Sequence, residues 1–322
     1  MKSALIIALI ALLCLFALAA WLWTPDLPRD ELESRYADGP DDFLDVRNVR
    51  LHVRDRGPRD APALLMLHGF GSSLHTWQPW ADALAADMRV ISLDLPGAGL
   101  SSADPGPDYS DERSLELLLA LLDQLQIERI SLLGNSLGGR IAWRFAAAHP
   151  ERVDRLILMA PDGFASPGFE YGKAPQVPAW LGLLRYFLPK SVLRMNLKVA
   201  YADPQQLTDA AVTRYHDLLL APGNRGAMLE RMAGVILVPP EPLLAGIEAP
   251  TLLVWGERDA MIPFSNAQDY LAALPDARLI SFPDLGHVPH EEAPMRTIEA
   301  IRSFLVGDSS TAANSRMPAA GY

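Results

Sequence analysis

The segment Gly134-Asn135-Ser136-Leu137-Gly138-Gly139 constrains this chain more than any other. It follows an apolar, strand-like run at 129–133 and opens a helical pattern at 137–149. A sharp strand-to-helix corner leaves little room for side chains two residues either side of its apex, and Gly134 and Gly138 meet that demand. Such a corner projects a hydroxyl beyond the end of a strand. Ser136 therefore reads as a nucleophile rather than as a surface serine on a turn.

A serine hydroxyl needs a base, and the base needs an acid that fixes its tautomer and stabilises the imidazolium. Both follow strand-like runs further along. The run 251–255 leads into Gly256-Glu257-Arg258-Asp259, and the run 278–282 leads into Pro283-Asp284-Leu285-Gly286-His287. Asp162, which follows the run 153–159, is the alternative acid, with Asp259 preferred for its more specific turn. The oxyanion needs two backbone N–H groups, one after the nucleophile and one from an early strand-helix loop. Leu137 and Phe70 fill those positions, the latter within His68-Gly69-Phe70-Gly71. His68 is expected to support that loop, and His290 to be a partly exposed residue at a helix start. No spacing of ligands suits a metal, and no cofactor is expected.

Taken together, the His68 to Gly71 loop, the turn Asp94-Leu95-Pro96-Gly97-Ala98-Gly99-Leu100-Ser101, the Ser136 elbow, the W-G-x-x-D turn at Asp259 and the final Gly286-His287 resemble the α/β-hydrolase superfamily over residues 42–306. The resemblance implies a mostly parallel eight-stranded sheet with helices on both faces and a helical cap at about 162–248. Ala98 departs from relatives that often carry histidine or an aromatic group there, which widens the expected pocket beside the oxyanion loop.

The rest of the pattern is consistent with that α/β architecture. Residues 43–46 and 49–54 alternate about Arg47-Asn48 as a hairpin, and apolar strand runs then alternate with helical patterns. In such a sheet, ligands bind beyond the carboxyl ends of the strands, where each candidate residue lies.

The ends of the chain carry different expectations. Residues 3–23 have no charge, enough as a helix to cover roughly 30 Å of hydrocarbon. Lys2 precedes them and acidic residues follow, so residues 1–24 are expected to be a transmembrane anchor with the N-terminus cytoplasmic and the hydrolase domain outside. A cleaved signal peptide, with Ala17-Leu18-Ala19 near its end, is the competing reading. Residues 25–41 read as a polar linker and 307–322 as a disordered tail. A net charge of −11 without a basic stripe argues against nucleic acid as a partner. The single cysteine, Cys14, permits no internal disulfide.

The expected activity is hydrolysis of carboxylic esters through an acyl-enzyme. Resemblance to membrane-anchored monoacylglycerol lipases implies monoacylglycerol-like or medium-chain esters as the small-molecule substrate. The enzymatic alternative is a carbon-carbon bond hydrolase of ring-cleavage products, whose relatives carry Gly-Asn-Ser elbows; a catalytically silent binding protein is the alternative of another class.

Overall fold

The computed structural model describes residues 2–166, 170–307 and 315–316. Arg47 and Asn48 both take positive φ (48° and 68°), the twist that joins strands β1 (Phe43–Val46) and β2 (Val49–Arg56) in a tight antiparallel hairpin. The further strands are β3 (Ala63–Leu67), β4 (Arg89–Leu93), β5 (Ile130–Asn135), β6 (Val153–Met159), β7 (Thr251–Gly256), β8 (Ala277–Phe282) and β9 (Ser315–Arg316). They lie in one sheet of order β1-β2-β4-β3-β5-β6-β7-β8-β9. β2 runs antiparallel to β4, and every pairing beyond β4 is parallel. The expected eight strands are thus extended by a two-residue ninth at the β8 edge. Of the expected disordered tail, Ser315–Arg316 forms this strand; residues 308–314 and 317–322 lie outside the described residues.

β4, β5 and β7 are buried along their whole lengths, as strands covered on both faces must be. One face packs on α4 (Asp111–Gln124), α5 (Leu137–Ala148) and α10 (Asn266–Ala273) through Leu117, Leu121, Ile141, Phe145 and Tyr270. The other packs on α3 (Gln78–Leu84) and α12 (Pro294–Val306) through Trp80, Leu84, Ile298 and Ile301. The short α11 (Pro289–Glu292) precedes α12.

Between β6 and β7 the chain leaves the sheet and builds a cap from α6 (Lys190–Leu197), α7 (Asp209–Leu219), α8 (Asn224–Gly234), α9 (Glu241–Leu244) and short 3-10 turns. It has its own small core of Leu188, Leu193, Tyr215, Leu219 and Leu220.

The N-terminal region departs from its expected form. α1 (Lys2–Leu22) is a helix, but among the described residues no helix is long and apolar enough to cross a membrane. The transmembrane expectation is therefore not carried by the structure. The segment expected as a polar linker is docked. Thr24 N–H donates to Tyr186 O at 2.8 Å, Leu27 N–H to Leu220 O at 2.9 Å, and Arg225 pairs with Asp26 at 2.6 Å. α2 (Arg29–Tyr36) buries Leu32 completely against Leu100, Leu218 and Ala221. Its many charges conceal one apolar side chain placed to fill that gap, which composition alone does not reveal.

Candidate active site

Ser136 stands between β5 and α5 with φ 54° and ψ −119°, a conformation that L side chains rarely adopt. The flanking glycines make the corner possible. A Cβ on Gly134 would meet Gly138 O at 2.2 Å, and one on Gly138 would meet Leu67 O at 2.3 Å. The neighbouring Asn135 is buried, and its Nδ2 donates to Met159 O and to His287 O, both at 3.1 Å. The second bond ties the serine corner to the histidine loop, 152 residues away.

His287 Nδ1 lies 2.8 Å from Asp259 Oδ2, with the aspartate side chain fully buried and the imidazole 5% exposed. Asp259 Oδ1 accepts from the N–H groups of Met261 and Ile262 at 2.8 and 2.9 Å, so one oxygen is held by its own turn and the other is aimed at the imidazole. With Asp259 accepting, the proton sits on Nδ1 and Nε2 is free to act as a base.

Asp162, the alternative acid, is otherwise engaged. Its carboxylate pairs with Arg140 at 2.8 Å, and its backbone carbonyl accepts from Trp143 Nε1 and Tyr270 OH at 3.0 and 3.1 Å. Desolvation outweighs Arg140 and raises its carboxyl pKa.

Leu137 opens α5, so its N–H is one of the helix-start donors without an intrahelical acceptor. Phe70 lies in the tight turn closed by Ser72 N–H on Gly69 O at 3.2 Å, and the residue is 42% exposed at the cavity wall. His68 braces this turn from below. It is buried, accepts from Leu95 N–H at Nε2 (3.0 Å) and donates from Nδ1 to Gly69 O (2.8 Å), while burial lowers its pKa. Beneath it, the buried Asp94 accepts from Leu74 N–H, Leu100 N–H and His52 Nδ1 at 2.6, 2.8 and 2.6 Å. Burial raises the Asp94 pKa, but the neighbouring histidines overcome that and hold it well below the usual carboxylate range.

His290 differs from its expected place at a partly exposed helix start. It is 1% exposed, stacks on Trp77 with ring centroids 4.2 Å apart, and bonds Thr76 Oγ1 at 2.9 Å. Burial lowers its pKa to about 4, so it is neutral at pH 7.

A narrow cavity, with about 30 Å³ of free interior space, adjoins the candidate oxyanion donors. Gly69, Phe70 and Leu137 line one part, Gly97, Ala98 and Gly99 another, and cap residues Tyr215, Leu218, Leu219, Met228 and Arg231 cover it. Tyr215 and Met228 belong to the apolar cap residues visible in sequence; Arg231 and Ser72 give no sequence signal beyond the i, i+3 spacing of Arg231 from Met228 on α8. Tyr215 OH bonds Glu291 Oε1 at 2.5 Å and Ser72 Oγ at 3.1 Å, joining the cap to both the histidine loop and the oxyanion loop. Among the described residues, no group of three or more His, Cys, Asp or Glu side chains could hold a metal ion.

Residues 62–294 match the family model described as the alpha/beta hydrolase fold. A 2-hydroxy-6-oxononadienedioate/2-hydroxy-6-oxononatrienedioate hydrolase of Cupriavidus pinatubonensis is 32% identical over 77% of this chain and 89% of its own. A 2-hydroxy-6-oxo-6-phenylhexa-2,4-dienoate hydrolase of Burkholderia cepacia is 31% identical over 75% and 86%. A solved structure described as a membrane phospholipase A, a bacterial virulence factor, superposes with TM-score 0.71 at 27% identity, covering 97% of this chain and 100% of its own. The two dienoate hydrolases correct the ester-hydrolase expectation in favour of its carbon-carbon alternative. The physical reason the sequence misled is that a serine corner with an oxyanion loop attacks any carbonyl carbon, whichever bond leaves it. With its matched core, its sheet order and its serine corner, this chain belongs to the alpha/beta-hydrolase fold family.

Proposed function

We propose that this protein hydrolyses a carbon-carbon bond of a 2-hydroxy-6-oxo-dienoate, the class of compound for which its relatives are named. The observation that carries this reading is the pair of dienoate hydrolases at 31% and 32% identity across about three quarters of the chain.

The site residues supply a route. Ketonisation of the substrate dienol moves its hydroxyl proton to C5, leaving a ketone at C2 that can accept an electron pair through the remaining double bond. Ser136 Oγ then adds to the C6 carbonyl as His287 takes its proton, Asp259 stabilises the imidazolium, and the N–H groups of Phe70 and Leu137 hold the C6 oxyanion. Collapse breaks the C5–C6 bond, and its electron pair passes to the C2 oxygen, which takes the proton from His287. Water, deprotonated by His287, releases the C6 carboxylic acid from Ser136.

The test is turnover of 2-hydroxy-6-oxo-6-phenylhexa-2,4-dienoate by the full chain, with benzoate and 2-hydroxypenta-2,4-dienoate identified by chromatography. Ser136→Ala is expected to reduce turnover about 10⁴-fold or more. The reading fails if the protein labels at Ser136 with a fluorophosphonate yet leaves the dienoate intact. Cleavage of a phospholipid in its place would move the substrate to the class named for the structural neighbour that spans the whole chain.

We further infer that the exposed apolar side chains of α1 hold the protein at a bilayer surface. The support is the uncharged run 3–23 and the exposure of Leu5, Ile6, Ile7, Leu9, Ile10, Leu12, Leu13 and Phe16, which find no cover on the domain. Carbonate-resistant fractionation with membranes is the expected behaviour; release into the soluble fraction with an intact N-terminus would reject it.

A further inference from the structure

Among the described residues, five arginines are less than a tenth exposed: Arg54, Arg89, Arg140, Arg225 and Arg231. Four of them pair with carboxylates, on Asp38, Asp55, Asp162 and Asp26 respectively. Among the described residues, Arg231 has no ion pair. Its Nη2 donates to Pro96 O at 3.1 Å and its Nη1 more weakly to Tyr109 O at 3.4 Å, and the guanidinium stands 5.2 Å from the Tyr109 ring centroid. The nearby acids are committed elsewhere. Asp111 is shared by Arg140 and Arg144 at 3.2 and 3.3 Å, and Glu112 is held by Arg144 at 2.7 Å.

A guanidinium has five N–H donors, and carbonyl oxygens cannot neutralise its charge. Burial lowers its pKa to about 10, which leaves it cationic at pH 7. Arg231 also lines the cavity that holds the candidate oxyanion donors Phe70 and Leu137. Below it the wall is built from Gly97, Ala98 and Gly99, so no side chain larger than a methyl group rises from that stretch. Packing is tight on the far side, where a Cβ on Gly97 would meet Ala227 Cβ of α8 at 2.2 Å. Arg214, on the same helix as the cavity-lining Tyr215, is not available in this way, because Glu291 pairs with it at 3.0 Å.

We propose that Arg231 is the anion subsite of this cavity and receives a substrate carboxylate through its unused N–H groups. The identification of that carboxylate as the C1 acid of a dienoate rests on the proposed function; the anion subsite does not. Arg231 is a binding residue here, recognising the end of the substrate remote from the bond that breaks.

The test uses hexa-2,4-dienoate, which has the acid and the diene but no ketone to attack, and its neutral primary amide. Binding of each to the full chain is measured by calorimetry, and each is tested for slowing fluorophosphonate labelling of Ser136, which directly precedes the cavity-lining Leu137. The acid is expected to bind about 10- to 100-fold tighter than the amide, as charge-assisted hydrogen bonds to a carboxylate require. Arg231→Gln should remove most of that preference, and Arg231→Lys, which keeps the charge but not the planar fork, part of it. Equal binding of acid and amide by the wild type overturns the proposal without recourse to a variant. So does an unchanged preference in either folded variant, judged by circular dichroism. Should wild-type protein prefer the acid but not hydrolyse the phenyl dienoate, the subsite stands and the proposed function falls. Should it hydrolyse the dienoate with the same KM in Arg231→Lys, the reverse holds.

Discussion

Asp259 is held by N–H groups two and three residues ahead in its own turn, whereas Tyr215 of the cap is held by Ser72 and Glu291, 143 and 76 positions away. The same contrast runs through both regions. At the sheet, the corner of Ser136 and the turn of Asp259 are shaped by neighbours in sequence, although Asn135 also ties that corner to His287. In the cap, short helices and 3-10 turns depend on scattered polar ties: Asn224 Nδ2 to Gly99 O at 2.9 Å, His287 N–H to Ala200 O at 2.8 Å, and Glu292 to the N–H groups of Gly286 and Ala202 at 2.7 and 2.8 Å. Large cap side chains, Trp180, Leu183, Tyr186 and Met195, remain exposed, whereas Trp77, Trp80, Trp143 and Trp255 under the sheet are not. The candidate nucleophile and acid thus rest mainly on local turns, and the cap on long-range ties.

The largest expected effect tests the local half. Asp259→Asn should lower kcat roughly a thousandfold or more, because the amide favours the wrong imidazole tautomer. Asp162→Asn, which touches Arg140 rather than His287, should cost less than about tenfold. Steady-state kinetics of the two variants decide it, and the opposite ranking would move the acid to the end of β6.

A smaller effect is expected at the ties of the cap. Glu291→Gln leaves Arg214 without its carboxylate in a largely buried position and should lower unfolding stability by roughly 2–4 kcal/mol. Tyr215→Phe, which removes only the phenol, should cost about 1–2 kcal/mol. Urea denaturation measures both, and in both variants KM should rise more than kcat falls. A fall in kcat with KM unchanged would place these residues with the chemistry and erase the distinction.

The smallest effect concerns pH. His75 and His290 are held by burial to about 4, so between about 6.5 and 4 the unfolded chain binds protons that the folded chain does not. Their contribution is therefore lost as pH falls through that window. At His52, burial lowers the pKa but Asp94 and Asp42 outweigh it, so its contribution is fully present below about 6.5, is lost as pH rises through the raised folded value, and adds no slope to that window. Denaturation midpoints should fall from pH 7 to 5, and His290→Gln should remove about 1–2 kcal/mol of that fall. A variant with the same pH slope would show that His290 is not the group responsible.

Much of the architecture was legible in the sequence because its signals are local. The runs at 43–46, 63–67, 89–93 and 153–159 coincide with β1, β3, β4 and β6. The glycines at 134 and 138 marked a corner whose backbone angles the structure gives. What misled was composition. Acidic and proline-rich character at 25–41 suggested a loose linker, yet Leu32 alone gives α2 a buried contact. The charged company of His290 suggested exposure, while its ring lies flat on Trp77.

By itself, the sequence determined where strands end and which side chains stand at those ends, since turn geometry and apolar runs act over a few residues. Only the tertiary structure decided that His287 faces Asp259 rather than Asp162, that Glu291 neutralises Arg214, and that Arg231 reaches the cavity without a counter-ion among the described residues. Those outcomes depend on which charges the fold brings within about 4 Å of one another, and pairing over such distances between remote segments leaves no period or spacing in the chain.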